Sequence, residues 1–356
     1  MMNTYLTRTS LGLLLLGASM TALAFAPART ESNFNVTVPN QNTGWYVNFS
    51  NNYLTPTINT NYASVGTINS KNFITGGSTQ AIDPSFHYGF SVNVGYLFAD
   101  SGMDVGLGFE HYKSDDSDSI TAGSGQGVLP LLDWPFTPPG SSSSGSSTSQ
   151  DQNATTASAN SEFDYDSVDL LGGDQVDLGK RVNLHLFAGL RYASIDSKMT
   201  ALYQAPNGST AGLSDNDIGP LGDSISLSSD FDGIGPRLGI DANINVVKGL
   251  SVTTSLAGSL LMGKNDGNYT WVDRDKANTR IDTTLDSADR VVPELDAKLG
   301  AQYLIPVAQD SAFVIGAGYK VENYFDAVEY PNATIGQTTA SNFAINGPYL
   351  DLTFRA

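Results

Sequence analysis

The sequence predicts an all-β protein, a transmembrane antiparallel β-barrel of the outer membrane with about ten strands, short periplasmic turns and long extracellular loops. Three observations lead to this fold class. Apolar and polar residues alternate with a period of two in ten segments, as in strands with one apolar and one polar face. The connections between these segments are alternately short and long. Beyond the N-terminus no apolar run approaches the ~18–20 residues that a membrane helix needs.

The composition of the 356-residue chain excludes several classes of function. It carries 18 basic and 36 acidic residues, a net charge of −18, which argues against a nucleic-acid partner. It has no cysteine, so disulfides, zinc–thiolate sites, iron–sulfur clusters and thiol nucleophiles are excluded. The mean hydropathy of −0.15 resembles that of a soluble protein. Such a value is also expected of a β-barrel, because the hydropathies of its alternating apolar and polar residues average out.

The N-terminus has the pattern of a secretory signal peptide. Arg8 precedes an apolar core that starts at Leu11, and small residues follow. We predict a signal peptide over 1–24, with residue 28 as a later cleavage point, then a periplasmic segment over 25–43 and one barrel domain over 44–356. A membrane anchor is the alternative, but the apolar core is short and is interrupted by Gly17.

The alternating segments fix the predicted topology. They lie at about 44–55, 86–99, 102–115, 162–178, from Arg181 onward, 231–247, 250–264, 290–305, 312–327 and 347–356. Short connections (ADSG, DLGK, NVVKG and VAQDS) follow every second segment, which places turns on the periplasmic side and long loops outside the cell. A soluble β-sandwich is the alternative, but its loops would not sort in this way.

The last segment, GPYLDLTFRA, alternates up to the end of the chain. A sheet that spans lipid must close on itself, because every backbone polar group needs a partner there. We therefore expect this strand to pair with the one that begins near Trp45, with Leu350, Leu352 and Phe354 facing lipid and Tyr349 facing the lumen. Phe354 near the terminus also resembles the signal that outer-membrane assembly machinery reads, although Arg355 and Ala356 follow it.

Residues 117–161 are predicted to form a long surface loop. This segment is rich in Ser, Gly, Thr and Asn and has almost no apolar residues in its centre, a composition typical of disorder. The tripeptide WPF at 134–136 is a candidate for docking on the rim of the barrel.

The charged residues that face the lumen by parity are the candidate functional site. Acids outnumber bases among them, and carboxylate rings in a pore favour cations. Ten strands lie near the narrow end of the barrel range, so an open small pore and a lumen plugged by mutually neutralising charges are both consistent with this set. The candidates are Asp104, Glu110, Asp169, Arg191, Arg237, Asp241, Glu294, Asp296, Lys298, Lys320, Glu322, Asp326, Asp351 and Arg355.

The three histidines and the acidic loops give weaker signals. His87 lies near the extracellular rim with Asp83 close by, where a general base could act, but a hydrogen-bonded rim histidine is the preferred interpretation. His111 faces lipid by parity, and His185 lies near the periplasmic end. The clusters SDDSDS, DND and DRD lack the spacing of a calcium loop, so we expect no metal site, and no cofactor motif is present.

Several stretches resemble one known family. FDGIGPRLGIDANINV, RVVPELDAKLGAQY, GYKVENYFDAV and NGPYLDL are similar in sequence and order to the major outer membrane protein family of Legionella, as are WYVNFSNNYLTPT, YDSVDLLGGDQVDL and HLFAGLRYASIDSKM. The resemblance covers about residue 35 to the end, except for the loops. It implies an abundant surface porin, oligomeric and exposed to host surface factors. Asn40 stands where the family often has a cysteine, so cross-linking of subunits by disulfides is not available here.

From these observations we predict an outer-membrane porin for passive diffusion of small, preferably cationic or neutral solutes. The alternative is a closed barrel that acts as a surface adhesion or interaction scaffold through its extracellular loops. A rim hydrolase ranks far behind both, so we expect no enzymatic activity. The expected partners are outer-membrane lipid and lipopolysaccharide, the assembly machinery, further copies of the chain and host factors.

Overall fold

A computed structural model describes residues 36–37, 44–68, 74–99, 101–132, 154–179, 181–205, 218–276, 279–307, 311–332 and 338–356. The predicted signal peptide lies outside these residues. The described parts contain no helix that could cross a membrane. The strands are β1 Val36–Thr37, β2 Gly44–Thr57, β3 Asn61–Ile68, β4 Ile74–Ala81, β5 His87–Leu97, β6 Met103–Thr121, β7 Gln126–Pro130, β8 Thr156–Leu178, β9 Val182–Gln204, β10 Asp223–Val247, β11 Leu250–Asp273, β12 Arg280–Pro306, β13 Ala312–Pro331 and β14 Thr338–Arg355.

Ten of the described strands form a closed antiparallel ring in the order β2-β5-β6-β8-β9-β10-β11-β12-β13-β14. The ring closes between β14 and β2, where Leu352 lies opposite Phe49 and Phe354 opposite Val47. The prediction that the terminal strand closes the barrel is therefore confirmed. Closure gives every strand two partners and removes the open edges that lipid would not tolerate. The short strand β1 pairs with the periplasmic end of β8.

Apolar side chains cover the outside of the periplasmic part of the barrel. On β9, for example, Leu186 and Leu190 point outward and are each 49% exposed in the isolated chain, while the inward Arg191 is buried. Higher on the same strand the outward positions are Asp196 and Lys198. The strands thus continue beyond the apolar belt. Most of them extend further on the extracellular side than predicted, because the outward residues there are polar and the pattern of apolar residues facing outward ends.

The tight periplasmic turns depend on glycine. Gly102, Gly179 and Gly249 have φ angles of 71°, 71° and 82°. This left-handed backbone is readily adopted only by a residue without a Cβ atom. These glycines lie between β5 and β6, β8 and β9, and β10 and β11, three of the connections predicted to be short.

A second sheet lies at the extracellular end. It has the order β4-β3-β7 and joins the connection after β2 to the connection after β6. The prediction that 117–161 is one surface loop is therefore wrong in the parts that the structure describes: β6 continues to Thr121, Gln126–Pro130 is β7, and β8 begins at Thr156. The serine-rich centre and the WPF tripeptide lie outside the described residues.

Apolar side chains fill the interior of the extracellular half in two clusters. The lower one, here called the aromatic layer, lies directly above the charged part of the lumen; its large members are Tyr112, Phe163, Tyr165, Phe231, Tyr324 and Phe343. The upper cluster joins the second sheet to the barrel wall. In it Tyr62, Ile82 and Val128 pack with the inward-facing Tyr203 and Trp271. We call β3, β4 and β7, with these contacts, the cap.

Candidate functional site

The lumen brings together most of the charged residues predicted from parity. Eight of them form what we call the ion-pair layer: Glu110, Asp169, Arg191, Arg237, Glu294, Asp296, Lys320 and Glu322. These residues come from β6, β8, β9, β10, β12 and β13, so the layer crosses the interior of the barrel. It contains three cations and five carboxylates.

Two arginines hold the centre of the ion-pair layer. Arg191 forms a bidentate pair with Asp169 at 2.7 Å for both Nε–Oδ1 and Nη2–Oδ2, and its Nη1 lies 3.1 Å from Glu294 Oε1. Arg237 Nη1 donates to Glu294 Oε2 at 3.0 Å, and its Nη2 donates to Asp296. Such forked, charge-assisted hydrogen bonds are strong and fix geometry.

Lys320 extends the layer to the opposite wall. Its Nζ contacts Glu110 on β6 and lies 3.2 Å from Glu322 Oε2. Lys320 and Glu322 are each only 1% exposed, although Lys and Glu are rarely buried unless they are paired. The layer therefore places paired charges in a largely buried part of the lumen.

The aromatic layer is hydrogen-bonded to the ion-pair layer. Tyr165 Oη lies 2.7 Å from Tyr324 Oη and donates to Glu322 Oε1 at 3.0 Å. Phe343 packs against both tyrosine rings, with centroid distances of 6.1 and 6.2 Å. Aromatic side chains thus cover the extracellular side of the charged residues.

Two cavities occupy the periplasmic half. A vestibule of about 880 Å³ is lined mainly by polar side chains, among them Asn48, Asn183, Asn243 and Gln302. An inner chamber of about 200 Å³ follows below the ion-pair layer. Tyr46, Asn93, Asp104, His185 and Asp241 line both cavities and therefore separate them.

A chain of hydrogen bonds crosses this partition. Tyr46 Oη donates to Asp104 Oδ2 at 2.8 Å, and His185 lies between Asp104 Oδ1 at 3.0 Å and Asp241 Oδ2 at 2.9 Å. His185 was not among the lumen residues predicted from the sequence. Its inward parity and its place near Asp241 on the next strand were the signals that could have found it.

The remaining candidates lie apart from this network, and one was placed wrongly. Lys298 lines the inner chamber, and Asp351 is half-buried on the inward side of β14. Arg355 lines the vestibule. Asp326 is exposed rather than in the lumen, because the register shifts between Tyr324 and Val328 and breaks the parity on which its assignment relied.

The rim histidine does not have the geometry of a catalytic triad. His87 Nε2 lies 3.0 Å from Ser85 Oγ and 2.9 Å from Asp116 Oδ2, so both partners use one ring nitrogen. A relay from serine through histidine to aspartate needs both nitrogens. Burial alone would raise the pKa of Asp116, but hydrogen bonds from Ser85 and His87 hold it below its usual value.

The carboxylates of the ion-pair layer fit no metal ion. Glu294, Asp296 and Glu322 offer oxygen atoms within 4.8 Å of one another, as a metal site would. However, Arg191, Arg237 and Lys320 already contact these groups, and their positive charges stand where a cation would bind.

The chain is similar to several solved structures at low sequence identity. The chain is 12% identical to the outer membrane protease OmpT of Escherichia coli, covering 92% of this chain and 97% of that one with a TM-score of 0.41. It is 11% identical to the translocator domain of the autotransporter NalP of Neisseria meningitidis, with coverages of 90% and 91% and a TM-score of 0.32. For a FadL homologue of Pseudomonas aeruginosa the identity is 8%, the coverages are 88% and 90%, and the TM-score is 0.24. No curated protein matches the chain.

One family model matches nearly the whole barrel. It is described as Legionella pneumophila major outer membrane protein precursor, and the match covers residues 37–356. This confirms the resemblance found in the sequence, and with it the location in the outer membrane of a Gram-negative bacterium. The chain belongs to the Legionella major outer membrane protein family.

Proposed function

We propose that the protein is a closed barrel that acts at the cell surface as an interaction scaffold. The observation that supports this proposal is that three layers follow one another along the lumen: the ion-pair layer, the aromatic layer and the cap. In this conformation a solute that enters the vestibule meets charged groups that are as buried as a protein core. The apolar clusters above them make the extracellular extension a rigid support for the loops.

A porin for small cationic or neutral solutes is the second candidate. It is favoured by the two stacked cavities, which leave the periplasmic half hollow up to the ion-pair layer. The inner chamber is lined by six carboxylates, Asp104, Glu110, Asp169, Asp241, Asp296 and Glu322, against four Arg and Lys side chains. This excess favours cations, provided that the layers above can separate.

We propose no enzymatic activity. The arrangement of His87 with Ser85 and Asp116 is a hydrogen-bonded rim cluster, as expected from the sequence, and offers no relay for a nucleophile. The expected partners, namely lipopolysaccharide, the assembly machinery, further copies of the chain and host factors, stay part of the proposal. The exposed apolar face of β14 supports contact with lipid.

Single-channel recording in a planar bilayer with a KCl gradient tests the proposal. Protein without the signal peptide is refolded, and heat-modifiable gel mobility shows that it is folded. We expect no conductance above background. A stable, cation-selective conductance would overturn the scaffold and establish the porin.

A variant with a short Gly-Ser linker in place of residues 61–81 lacks β3 and β4 of the cap, so it distinguishes the effect of the cap from that of the layers inside the barrel. If it also stays silent, the layers inside the barrel close the lumen without the cap. If it conducts while the wild type does not, the cap is a gate and the protein is a porin that opens when the cap is displaced.

A further inference from the structure

A group of metal-binding side chains lies on the outer wall of the barrel, just beyond the apolar belt. The last apolar row around this wall runs through paired outward residues, each at least 38% exposed: Phe109, Val168, Tyr192, Ile234, Met262 and Val291. The next row outward begins with His111 on β6, opposite Asp166 on β8. Lipid headgroups and water therefore meet the barrel at this row.

Three ligand atoms converge there. His111 Nδ1 lies 2.8 Å from Asp166 Oδ1 and 3.9 Å from Asp164 Oδ1, and all three atoms lie within 4.8 Å of one another. Tetrahedral Zn²⁺ with bonds of about 2.0–2.1 Å holds its ligand atoms about 3.3 Å apart. The two observed distances from His111 bracket that value, so small rotations of the aspartates would complete the geometry.

The backbone and a neighbouring ring hold these side chains in place. His111 and Asp166 are a direct cross-strand pair, and Asp164 lies on the same face two residues before Asp166. The ring of Phe90 packs beside the imidazole with a centroid distance of 5.8 Å. Ligands on paired strands need little reordering to bind an ion.

The surroundings carry an excess of negative charge. Asp164 lies opposite Asp196, Asp196 opposite Asp230, and Asp230 opposite Asp266 across successive strands. Like charges directly opposite each other destabilise a sheet. In the ion-pair layer each carboxylate group contacts Arg or Lys. Here Lys113 contacts Asp164 at 3.3 Å, but the ion pair of Asp166 is with His111.

We propose that His111, Asp164 and Asp166 bind a divalent transition-metal ion of the zinc class, with the remaining coordination positions open to water. An imidazole nitrogen with two carboxylates suits Zn²⁺, whereas Ca²⁺ and Mg²⁺ prefer oxygen ligands alone. The ion would neutralise part of the acidic row and join β6 to β8 where the barrel leaves the membrane. This site is independent of whether the lumen conducts.

Calorimetric titration of the refolded protein with ZnCl₂ tests this site. The protein is in detergent, carries no histidine tag and has been freed of metal with a chelator. We expect one binding event in the wild type. It should weaken by more than about tenfold in His111→Ala and in Asp166→Asn, since even residues behind the ligands cost ~10–100-fold. CaCl₂ in excess should not displace the zinc.

His87→Ala is the matched control, because His87 also contacts an aspartate near the extracellular rim but pairs with a single carboxylate among the described residues. It should bind zinc like the wild type. If the wild type binds no zinc, or if His111→Ala binds it as tightly as the wild type, His111 and Asp166 form a cross-strand hydrogen bond only and the proposal is overturned. Heat-modifiable gel mobility confirms that each variant is folded.

Discussion

Arg191 on β9 and Glu294 on β12 are 103 residues apart in the chain, yet Nη1 of the arginine lies 3.1 Å from Oε1 of the glutamate in the middle of the barrel. Both side chains are almost fully buried, with 4% and 3% exposure. The pair links β9 and β12, which lie three strands apart in the ring, across the interior of the barrel. Arg191 also lines the inner chamber, so the pair connects the ion-pair layer with that cavity.

Removal of Arg191 should strongly destabilise the barrel. Arg191→Ala leaves Asp169, Glu294 and Glu322 without a shared cation in a buried site, and breaking a buried ion pair costs about 3–5 kcal/mol. The measurement is the midpoint of urea unfolding in phospholipid vesicles. Arg280→Ala is the control: Arg280 pairs with Asp282 on the surface, and its removal should leave the midpoint unchanged. Equal midpoints for the Arg191 variant and the wild type would mean that water reaches the ion-pair layer.

The closing strand β14 should tolerate an added charge on its lumen face but not on its lipid face. Leu350 is 52% exposed on the lipid side, so Leu350→Arg should lower the free energy of unfolding by about 2–4 kcal/mol. Thr353 lines the vestibule, and Thr353→Arg should have little effect because its guanidinium reaches water. Urea unfolding of the two variants in vesicles gives the comparison. A larger loss for Thr353→Arg than for Leu350→Arg would contradict the assigned faces of β14.

Asp326 should behave as a strained surface residue and not as part of the lumen. Its φ angle is 54°, a left-handed conformation that Asp tolerates better than most residues and that costs a β-branched residue about 1–2 kcal/mol. Asp326→Gly is expected to raise the free energy of unfolding by up to about 1 kcal/mol, while Asp326→Val should lower it by about 1–2 kcal/mol. Thermal unfolding followed by circular dichroism measures both. A stabilised valine variant would show that the bulge is absent.

The extracellular extension should lose stability as pH rises from about 4 to 7. Burial, with added repulsion from Asp273 directly opposite, raises the pKa of Asp223 to about 7. The folded state therefore binds a proton that the unfolded chain has already released above pH ~4. The stabilisation is complete below that pH and is lost as pH rises through 7, by an amount on the order of a few kcal/mol.

Asp223→Asn should flatten this pH dependence. Asp273→Asn should move the pH range of this stability loss to lower pH, because it removes the repulsion by Asp273 while Asp223 stays buried. Unfolding midpoints between pH 4 and 8 measure both effects. A slope in Asp223→Asn as steep as that of the wild type would assign the pH dependence to another group.

Much of this protein was determined by local pattern in the sequence. Period-two alternation is a property of neighbouring residues, so it is sufficient by itself to sort Leu350, Leu352 and Phe354 to lipid and Tyr349 to the lumen. The parity of short and long connections gave the ten-strand ring and its orientation. The same rule placed nearly all of the charged lumen residues on the inward face.

Which side chains on those faces contact each other was decided by the tertiary structure alone. Parity tells which way Arg191 and Glu294 point, but whether they lie at the same height depends on the stagger accumulated across the strands between them, which no local pattern records. The bulge at Asp326 reversed parity without a signal in the alternation. The cap unites segments near residues 63 and 128 through packing that only the folded loops create. The barrel could thus be predicted from the sequence, whereas the ion-pair layer and the cap depend on long-range contacts.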